Sequence, residues 1–304
     1  MSRYFLILHL LLFFEIGQAC AGAYPYGVDT ADEISVPLMP VIGFMQHHKI
    51  GKGETLLDIA REYGLGYNEI MLSNPGTDPW LPGTGKIITV PSLWILPARH
   101  EAVVINIPEL RLYRFFRKHR MVKTYPIGIG REGFETPQTV CRVVERQVHP
   151  SWTVPPHARS YYRQAIIPPG PDNPLGDYWI GLSVDRLGIH GTHFPWGVGR
   201  RVSHGCMRLY PEDIVQLFHE TPVGTPVEIL YEPVKIGQRG DLLFLESHPD
   251  IHNRIGDLEL HAWYLIRSHG VERFVYPEAV KRCIEARKGI PTVVGSINCK
   301  GEIK

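Results

Sequence analysis

Residues 190–208 read HGTHFPWGVGRRVSHGCMR, and this stretch decides how the rest of the chain is read. Gly191 of a His-Gly pair stands twelve positions before Ser203, which opens Ser203-His204-Gly205-Cys206, and glycines and arginines fill the loop between. A free thiol is mostly protonated at neutral pH and becomes a strong nucleophile when an imidazole takes its proton. Two imidazoles are available. His204 shares the turn of Cys206, whereas His190 must be returned to it by the loop, the commoner arrangement for a Cys/His pair. Gly205 lets the backbone before the nucleophile adopt a conformation closed to other residues, so that successive N–H groups can face an oxyanion. The spacing therefore predicts a nucleophile and its base. Taken singly, a Cys reads as core filling and a His as a structural residue. A zinc site from His190, His193, His204 and Cys206 has permitted ligand types but no accompanying pair of spaced cysteines. Neither a metal nor an organic cofactor is expected.

The pattern His190-Gly191-Thr192, a loop, then Ser203-His204-Gly205-Cys206, an apolar residue and Arg208 resembles the L,D-transpeptidase (YkuD-type) catalytic domain. The resemblance extends over residues 99–231, through Val103–Phe115 (VVINIPELRLYRF), Tyr125–Gly130 (YPIGIG) and Thr136-Pro137. It implies that Cys206 is the acylated nucleophile, His190 the general base, the carbonyl of Gly191 its orienter and His204 a supporting residue. The N–H groups of Gly205 and Cys206 would hold the oxyanion. Many relatives carry Asn where this chain has Arg208. Because the donor stem peptide is anionic, Arg208, Arg200 and Arg201 are candidates to bind its carboxylates in a bidentate manner, and Arg208 is preferred for its place beside the nucleophile. Ser203 and Thr192 complete the candidate substrate contacts. For Arg200-Arg201 a solvated loop fits nearly as well.

The 304 residues allow about two domains. With 44% hydrophobic and 21% charged residues the chain can bury a core, and a net charge of +1 gives no reason to expect nucleic acid as a partner. Arg3, the apolar run Phe5–Phe14 and small residues at Ala19, Ala21 and Ala23 read as a secretory signal peptide over residues 1–23. The run is about half the ~20 residues that a membrane span needs. Export to the periplasm is thus expected, with Cys141, Cys206, Cys283 and Cys299 in a compartment that permits disulfides. For Cys283 both a disulfide with Cys299 and a buried thiol on a helix face fit.

Residues 24–46 carry prolines and no period, and read as an extended lead-in. Residues 47–92 read strand, helix, helix, strand: Leu56, Ile59, Ala60 and Tyr63 fall at helical spacing, and Gly64 and Gly66 stop that helix. This βααβ unit resembles a LysM module, which implies that Thr55 and Asn74 face the sugars of a glycan strand. A plain structural unit with Thr55 as a helix N-cap is the alternative. Pro91–Arg99 reads as a compact linker. Val103–Ile107, Arg111–Phe115, Val122–Ile127, Val140–Val148 and Val227–Tyr231 read as strands, Pro211–Glu220 as a helix, and residues 149–178, with Trp152, Tyr161, Tyr162 and Tyr178, as a long ordered loop over the site. The expected fold is mostly β with some helix: the small βααβ unit, then a β-sandwich or partly closed barrel. Residues 232–304 read as an accessory segment with one helix, Pro277–Lys288.

Together these features lead us to expect an exported thiol acyltransferase acting on peptidoglycan. The resemblance implies attack on a tetrapeptide stem, release of D-Ala, and transfer to an amine, either a diaminopimelate of another stem or a lysine of a small outer-membrane lipoprotein. Water as acceptor would make it a carboxypeptidase or amidase. A wall-binding protein with a non-catalytic scaffold is the rival from another class.

Overall fold

The computed structural model describes residues 22–27, 38–98, 102–156, 159–160, 162 and 164–298. Cys20, Tyr161, Cys299 and the apolar run read as a signal lie outside them. Five helices, α1 (Leu56–Glu62), α2 (Tyr67–Ser73), α3 (Pro211–Glu220), α4 (Leu258–Ser268) and α5 (Pro277–Ala286), pack on a mostly β framework.

A nine-stranded sheet carries the site. Its order across is Ala23–Pro25, Met121–Pro126, Arg111–Phe116, Val103–Asn106, Pro226–Leu230, Thr139–Val148, Tyr178–Leu182, Gly188–His190 and Met207–Arg208. Two of its pairings are parallel, Pro226–Leu230 with Val103–Asn106 and Gly188–His190 with Met207–Arg208. Parallel neighbours need a crossover, and between the last two strands it is the loop 191–206. One face of the sheet buries Ile105, Leu112, Tyr125, Ile180, Ile189 and Met207 against Ile214, Leu217 and Phe218 of α3. Pro211 opens α3, and Glu212 and Asp213 lie in its first turn, where the fixed φ of proline and the helix dipole favour them. The opposite face meets the small helical unit.

In that unit Gln46–Lys49 pairs antiparallel with Ile87–Val90, and α1 and α2 lie between them in sequence. Leu56, Ile59, Leu65 and Ile70 share one core with Val104, Tyr113 and Phe115 of the large sheet. At its centre the Arg111 guanidinium meets the Glu69 carboxylate at 2.7 Å, 0% and 7% exposed; Trp94 Nε1–H donates to Glu69 at 3.0 Å. Removing one member of such a pair costs about 3–5 kcal/mol, although the intact pair adds little net stability. Its effect is to fix the pose of the unit on the sheet. Arg61 of α1 also makes two 2.7 Å bonds to Glu212 of α3.

The tail departs from the sequence reading. Residues read as lead-in, linker and accessory segment join in one five-stranded sheet, ordered Thr292–Ser296, Leu242–Ser247, Val234–Arg239, Met39–Gly43 and Leu93–Ile95. Met39–Gly43 and Leu93–Ile95 are short, largely buried and without alternation, so their strand character comes from partners distant in sequence. Gly237 pairs with Met39, and a Cβ at Gly237 would stand 2.8 Å from the Met39 carbonyl oxygen. The expectation of one helix in residues 232–304 is corrected to two. Helix α4 buries Leu258, Ala262 and Ile266 and is capped by Asp257, but Leu260 and Tyr264 on its solvent side, 65% and 66% exposed, blur the stripe in sequence. Helix α5 ends at Ala286, with Arg287 left-handed at φ 45°. The Cys283 thiol is buried and donates to the Leu245 carbonyl at 3.3 Å. Between the two large sheets the Lys235 ammonium bonds to Glu109 and lies 3.1 Å from Glu246, all three almost fully buried. This network ties the tail to the turn before Arg111.

Candidate active site

The strand register assembles the site. Ile189 pairs with Met207 and His190 with Arg208. Successive side chains of a strand alternate between faces, so Arg208, and Cys206 two residues before it, share the face of His190. Met207 and Ile189 point the other way, into the core.

The turn before Cys206 is fixed by two hydroxyls. Gly205 has φ +112°, a conformation that L side chains rarely adopt. Ser203 Oγ accepts from the Gly205 N–H at 3.1 Å and donates to the Cys206 carbonyl at 2.6 Å. Thr136 Oγ1, fully buried, donates to the Gly205 carbonyl at 2.7 Å and accepts from the Gly130 N–H at 3.0 Å. The strand Arg201–Ser203 adds parallel pairing to Ile129–Gly130. Two expectations change here. The Gly205 N–H is engaged by Ser203 and is not presented to an oxyanion, and the Ser203 hydroxyl holds the turn instead of reaching toward substrate.

His190 is 3% exposed and stacks on Trp179, its cross-strand neighbour, with ring centroids 5.8 Å apart. Its Nδ1 lies 2.6 Å from the Gly191 carbonyl oxygen. A carbonyl can only accept, so Nδ1 carries the proton and a neutral ring keeps its lone pair on Nε2. Burial, reinforced by the Arg208 guanidinium, holds the imidazole pKa at about 3, with the Gly191 and Leu175 carbonyls acting in the other direction. Burial also raises the Cys206 thiol above its ordinary pKa, opposed by a backbone contact at Gly188 and by Arg208. The resting pair is therefore neutral imidazole and neutral thiol. The thiol is 3.4 Å from the Arg186 carbonyl oxygen.

Cys206, His190 and Arg208 line a cavity of about 580 Å³ whose other walls include Trp152, Pro155, Trp179, Arg186 and Glu135. Residues 150–153, 155, 174 and 175, from the long loop before Tyr178, line it as well. Trp152–Thr153 pairs with Ile166–Ile167, Trp152 meets Tyr162 edge to face at 5.0 Å, and the buried Asn173 amide donates to the Pro150 carbonyl at 2.7 Å while accepting from the Leu175 N–H at 2.9 Å. Tyr178 instead packs on Phe218 behind the sheet. The Arg208 Nε is buried without a hydrogen-bond partner among the described residues.

The remaining candidates disperse. His204 is exposed, 3.2 Å from Arg131 and edge to face with Phe134. Thr192 is buried, and its hydroxyl accepts from the Phe194 N–H at 3.0 Å in a local turn outside the cavity. Arg201 donates to the Ile251 carbonyl at 2.9 Å, and Arg200 packs on the Tyr67 ring, 3.6 Å from its centroid. Thr55 caps α1 in a reciprocal box with Asp58. Asn74 does not face sugar: it is 8% exposed, donates to the Ile70 and Thr89 carbonyls at 2.9 and 2.7 Å, and accepts from the Thr89 N–H at 2.8 Å. The ligand set of the zinc alternative is not gathered. Among the described residues the close group of metal-type ligand atoms is Glu109, Glu246 and His248, where Lys235 already sits. Sequence reasoning missed Asn173 and Trp179. A polar residue in a Pro-rich loop and an aromatic opposite His190 are visible only once the register is known.

The small helical unit buttresses the loop 191–206. The Tyr67 and Asn68 N–H groups each donate at 3.2 Å, to the carbonyls of Val198 and Gly199. Gly199 has φ +77°, and a Cβ there would lie 2.2 Å from the Tyr67 nitrogen, so the close approach requires glycine.

The profile of the YkuD L,D-transpeptidase catalytic domain matches residues 100–229. Three Escherichia coli (strain K12) proteins are similar over longer spans. The probable L,D-transpeptidase YcfS is 35% identical over 264 residues, 81% of each chain. YbiS, likewise a probable L,D-transpeptidase, is 39% identical over 245 residues, 76% of this chain and 78% of its own. ErfK/SrfK, a third, is 39% identical over 216 residues, 68% of this chain and 69% of its own. Among solved structures, an Enterococcus faecium L,D-transpeptidase aligns with 43% of this chain and 50% of its own at 18% identity and a TM-score of 0.34, too distant to bear on the site. With likeness to the E. coli proteins running beyond the catalytic domain on both sides, the chain belongs to the L,D-transpeptidase family.

Proposed function

We propose that the protein is an exported cysteine acyltransferase of peptidoglycan, with Cys206 as nucleophile and His190 as general base. The observation that carries this reading is the His190–Arg208 register, which sets thiol, imidazole and guanidinium on one face of the sheet beneath one cavity. The thiol attacks the carbonyl between the third residue of a tetrapeptide stem and its terminal D-Ala. His190 Nε2 takes the thiol proton and delivers it to the departing amine, leaving a thioester. With a neutral resting pair, proton transfer accompanies attack instead of preceding it. Arg208 has a second effect. Its charge depresses the His190 pKa, and a stem carboxylate bound to its guanidinium from the cavity neutralises that charge, so substrate binding raises the basicity of His190. The acyl group then passes to an amine, either on another stem or on a lipoprotein lysine.

Residues 47–92 are read as a LysM module that keeps the enzyme on glycan strands, with the half-buried Thr55 as a candidate contact; the enzyme works in the periplasm. The test is intact mass spectrometry of the mature protein after incubation with a carbapenem, beside Cys206→Ala. A stable adduct on the wild type alone is expected. Its absence from folded protein with reduced Cys206 would overturn the reading.

A further inference from the structure

Two tryptophans face each other across the seam between the small helical unit and the loop 191–206. Trp80 belongs to the turn between α2 and the strand Ile87–Val90, and Trp196 to the loop. Their rings meet edge to face at 6.5 Å, yet each keeps about half of its surface in solvent, and Leu81 and Phe194, their near neighbours in sequence, are exposed as well. Exposed apolar side chains gathered together mark interaction surfaces, whereas single ones are ordinary. Both turns are held from within. The Asp78 carboxylate accepts from the N–H groups of Trp80 at 2.8 Å and Leu81 at 2.9 Å, and the Pro79 carbonyl accepts from the Leu56 N–H at 2.9 Å, which ties this turn to the start of α1. On the other side Pro195–Gly197 is a 3-10 turn, in which the Gly197 and Val198 N–H groups donate to the Phe194 and Pro195 carbonyls, each at 3.1 Å. A Cβ at Gly128 would lie 2.5 Å from the Gly197 carbonyl oxygen, so the turn rests directly on the backbone beneath it.

The surface around the rings is shallow, with polar groups at its edge. The crevice between Trp196 and α1, lined by Leu57, Asp58 and Arg61, holds only about 10 Å³, room for no more than one water. A protein partner would anchor an apolar side chain in a pocket, and there is none here to take it. Asp58 is bonded to Thr55 in the cap of α1, so hydrogen-bonding groups border the aromatic pair. Flat π faces with a polar rim suit a ligand that is itself flat, with apolar C–H faces and hydroxyl or amide edges. A pyranose sugar has that form, its C–H groups meeting the negative face of the ring. Two rings with centroids 6.5 Å apart, inclined at 62°, offer faces to two residues of one oligosaccharide.

We propose that Trp80 and Trp196 form one sugar-stacking shelf, and that a peptidoglycan glycan strand lies across it, held jointly by the helical unit and the loop 191–206. The inference rests on the reading of the protein as a peptidoglycan enzyme with a glycan-binding unit, and adds to it a sugar contact from the catalytic domain. Its consequence is positional. Trp196 lies on the crossover between His190 and Cys206, and the Tyr67 and Asn68 N–H groups pin that crossover to α2. A strand stacked on both rings is therefore fixed with respect to the thiol, and its stem peptides project from a set place on the enzyme. Binding energy from the sugars then serves the orientation of the reacting carbonyl.

The test uses the full mature chain carrying Cys206→Ala, so that no acyl transfer intervenes. Calorimetry measures its affinity for glycan strands freed of their stem peptides by an amidase. Added to that chain, Trp196→Ala and Trp80→Ala should each weaken binding about tenfold, the measure of one lost aromatic contact, and Trp196→Tyr should keep most of the affinity. Urea midpoints establish that each variant is folded. Loss in Trp80→Ala alone, with folded Trp196→Ala at the parent affinity, would overturn the shared shelf and leave the glycan-binding unit standing. Failure of the parent chain to bind stem-free strands at all would overturn both that unit's role and the inference. Self-association of the parent chain that Trp196→Ala abolishes, seen by sedimentation in place of sugar binding, would assign the rings to a second copy of the chain and overturn the inference as well.

Discussion

Thr136→Val is the perturbation that best probes how the turn before Cys206 is held. The substitution keeps the β-branched shape and removes one hydroxyl, which in the fold bridges the Gly130 N–H and the Gly205 carbonyl. Two hydrogen bonds are lost, and two buried backbone groups, on Gly130 and Gly205, are left unpaired. At about 1–3 kcal/mol for each of the two stranded groups, the cost is about 2–6 kcal/mol. With a urea m-value of about 2 kcal/mol/M, the denaturation midpoint should fall by about 1–3 M. Because Gly205 sits directly before Cys206 at φ +112°, the turn also loosens at the thiol, and acylation by a carbapenem should slow by about tenfold or more, as misplacement of a reacting group by about an ångström does. Thr136→Ser, which retains the hydroxyl, should recover most of both. A Val variant with unchanged midpoint and unchanged acylation rate would refute the argument that this hydroxyl holds the turn.

Two further predictions concern protons. Burial raises the Cys206 thiol, so alkylation by iodoacetamide in the resting enzyme should climb through and beyond pH 8.5 with no plateau in the acid range; an acid plateau would mean a preformed thiolate-imidazolium pair. His190 and Asp213 act on stability with opposite signs. His190 is held at about 3 against 6.5, so the unfolded chain takes a proton that the fold refuses, and stability falls as pH drops from 6.5 toward 3. Asp213 is raised from 3.8 to about 7 by burial and then by Glu212, so the fold keeps a proton that the unfolded chain releases, and that contribution is lost as pH rises from 3.8 through 7. Asp213→Asn should therefore stabilise at pH 8, by at most about 4 kcal/mol, and by much less at pH 3. Urea midpoints at the two pH values check the sign, and equal effects at both would contradict it.

Much of the local structure was legible. Residues 190–208 hold the thiol, the imidazoles and the glycine turn, and local chemistry restricts what such a set can do. Leu56, Ile59 and Ala60 repeat at helical spacing and form α1; Arg111-Leu112-Tyr113, which alternates in sequence like a half-buried strand, is instead buried on both faces, because the helical unit covers the second one. The tail was less legible for a physical reason. Met39–Gly43, Leu93–Ile95 and Val234–Arg239 become one sheet through pairings across as many as about two hundred residues, and no period within five residues records a partner that distant.

The sequence by itself determined the residue types at the site, the family they resemble and the mostly β character of the chain, because these depend on composition and short-range spacing. The tertiary structure decided which of those residues do what. Asn74, which reads as a sugar contact, is spent on the Ile70 and Thr89 backbone; Ser203 is spent on the turn; and Arg201 faces a second cleft made with the tail. A polar side chain advertises only that it can form hydrogen bonds. Whether it spends them on its own backbone or keeps them for a ligand is fixed by neighbours that folding brings from elsewhere in the chain, because a buried polar group must be paired wherever it lies.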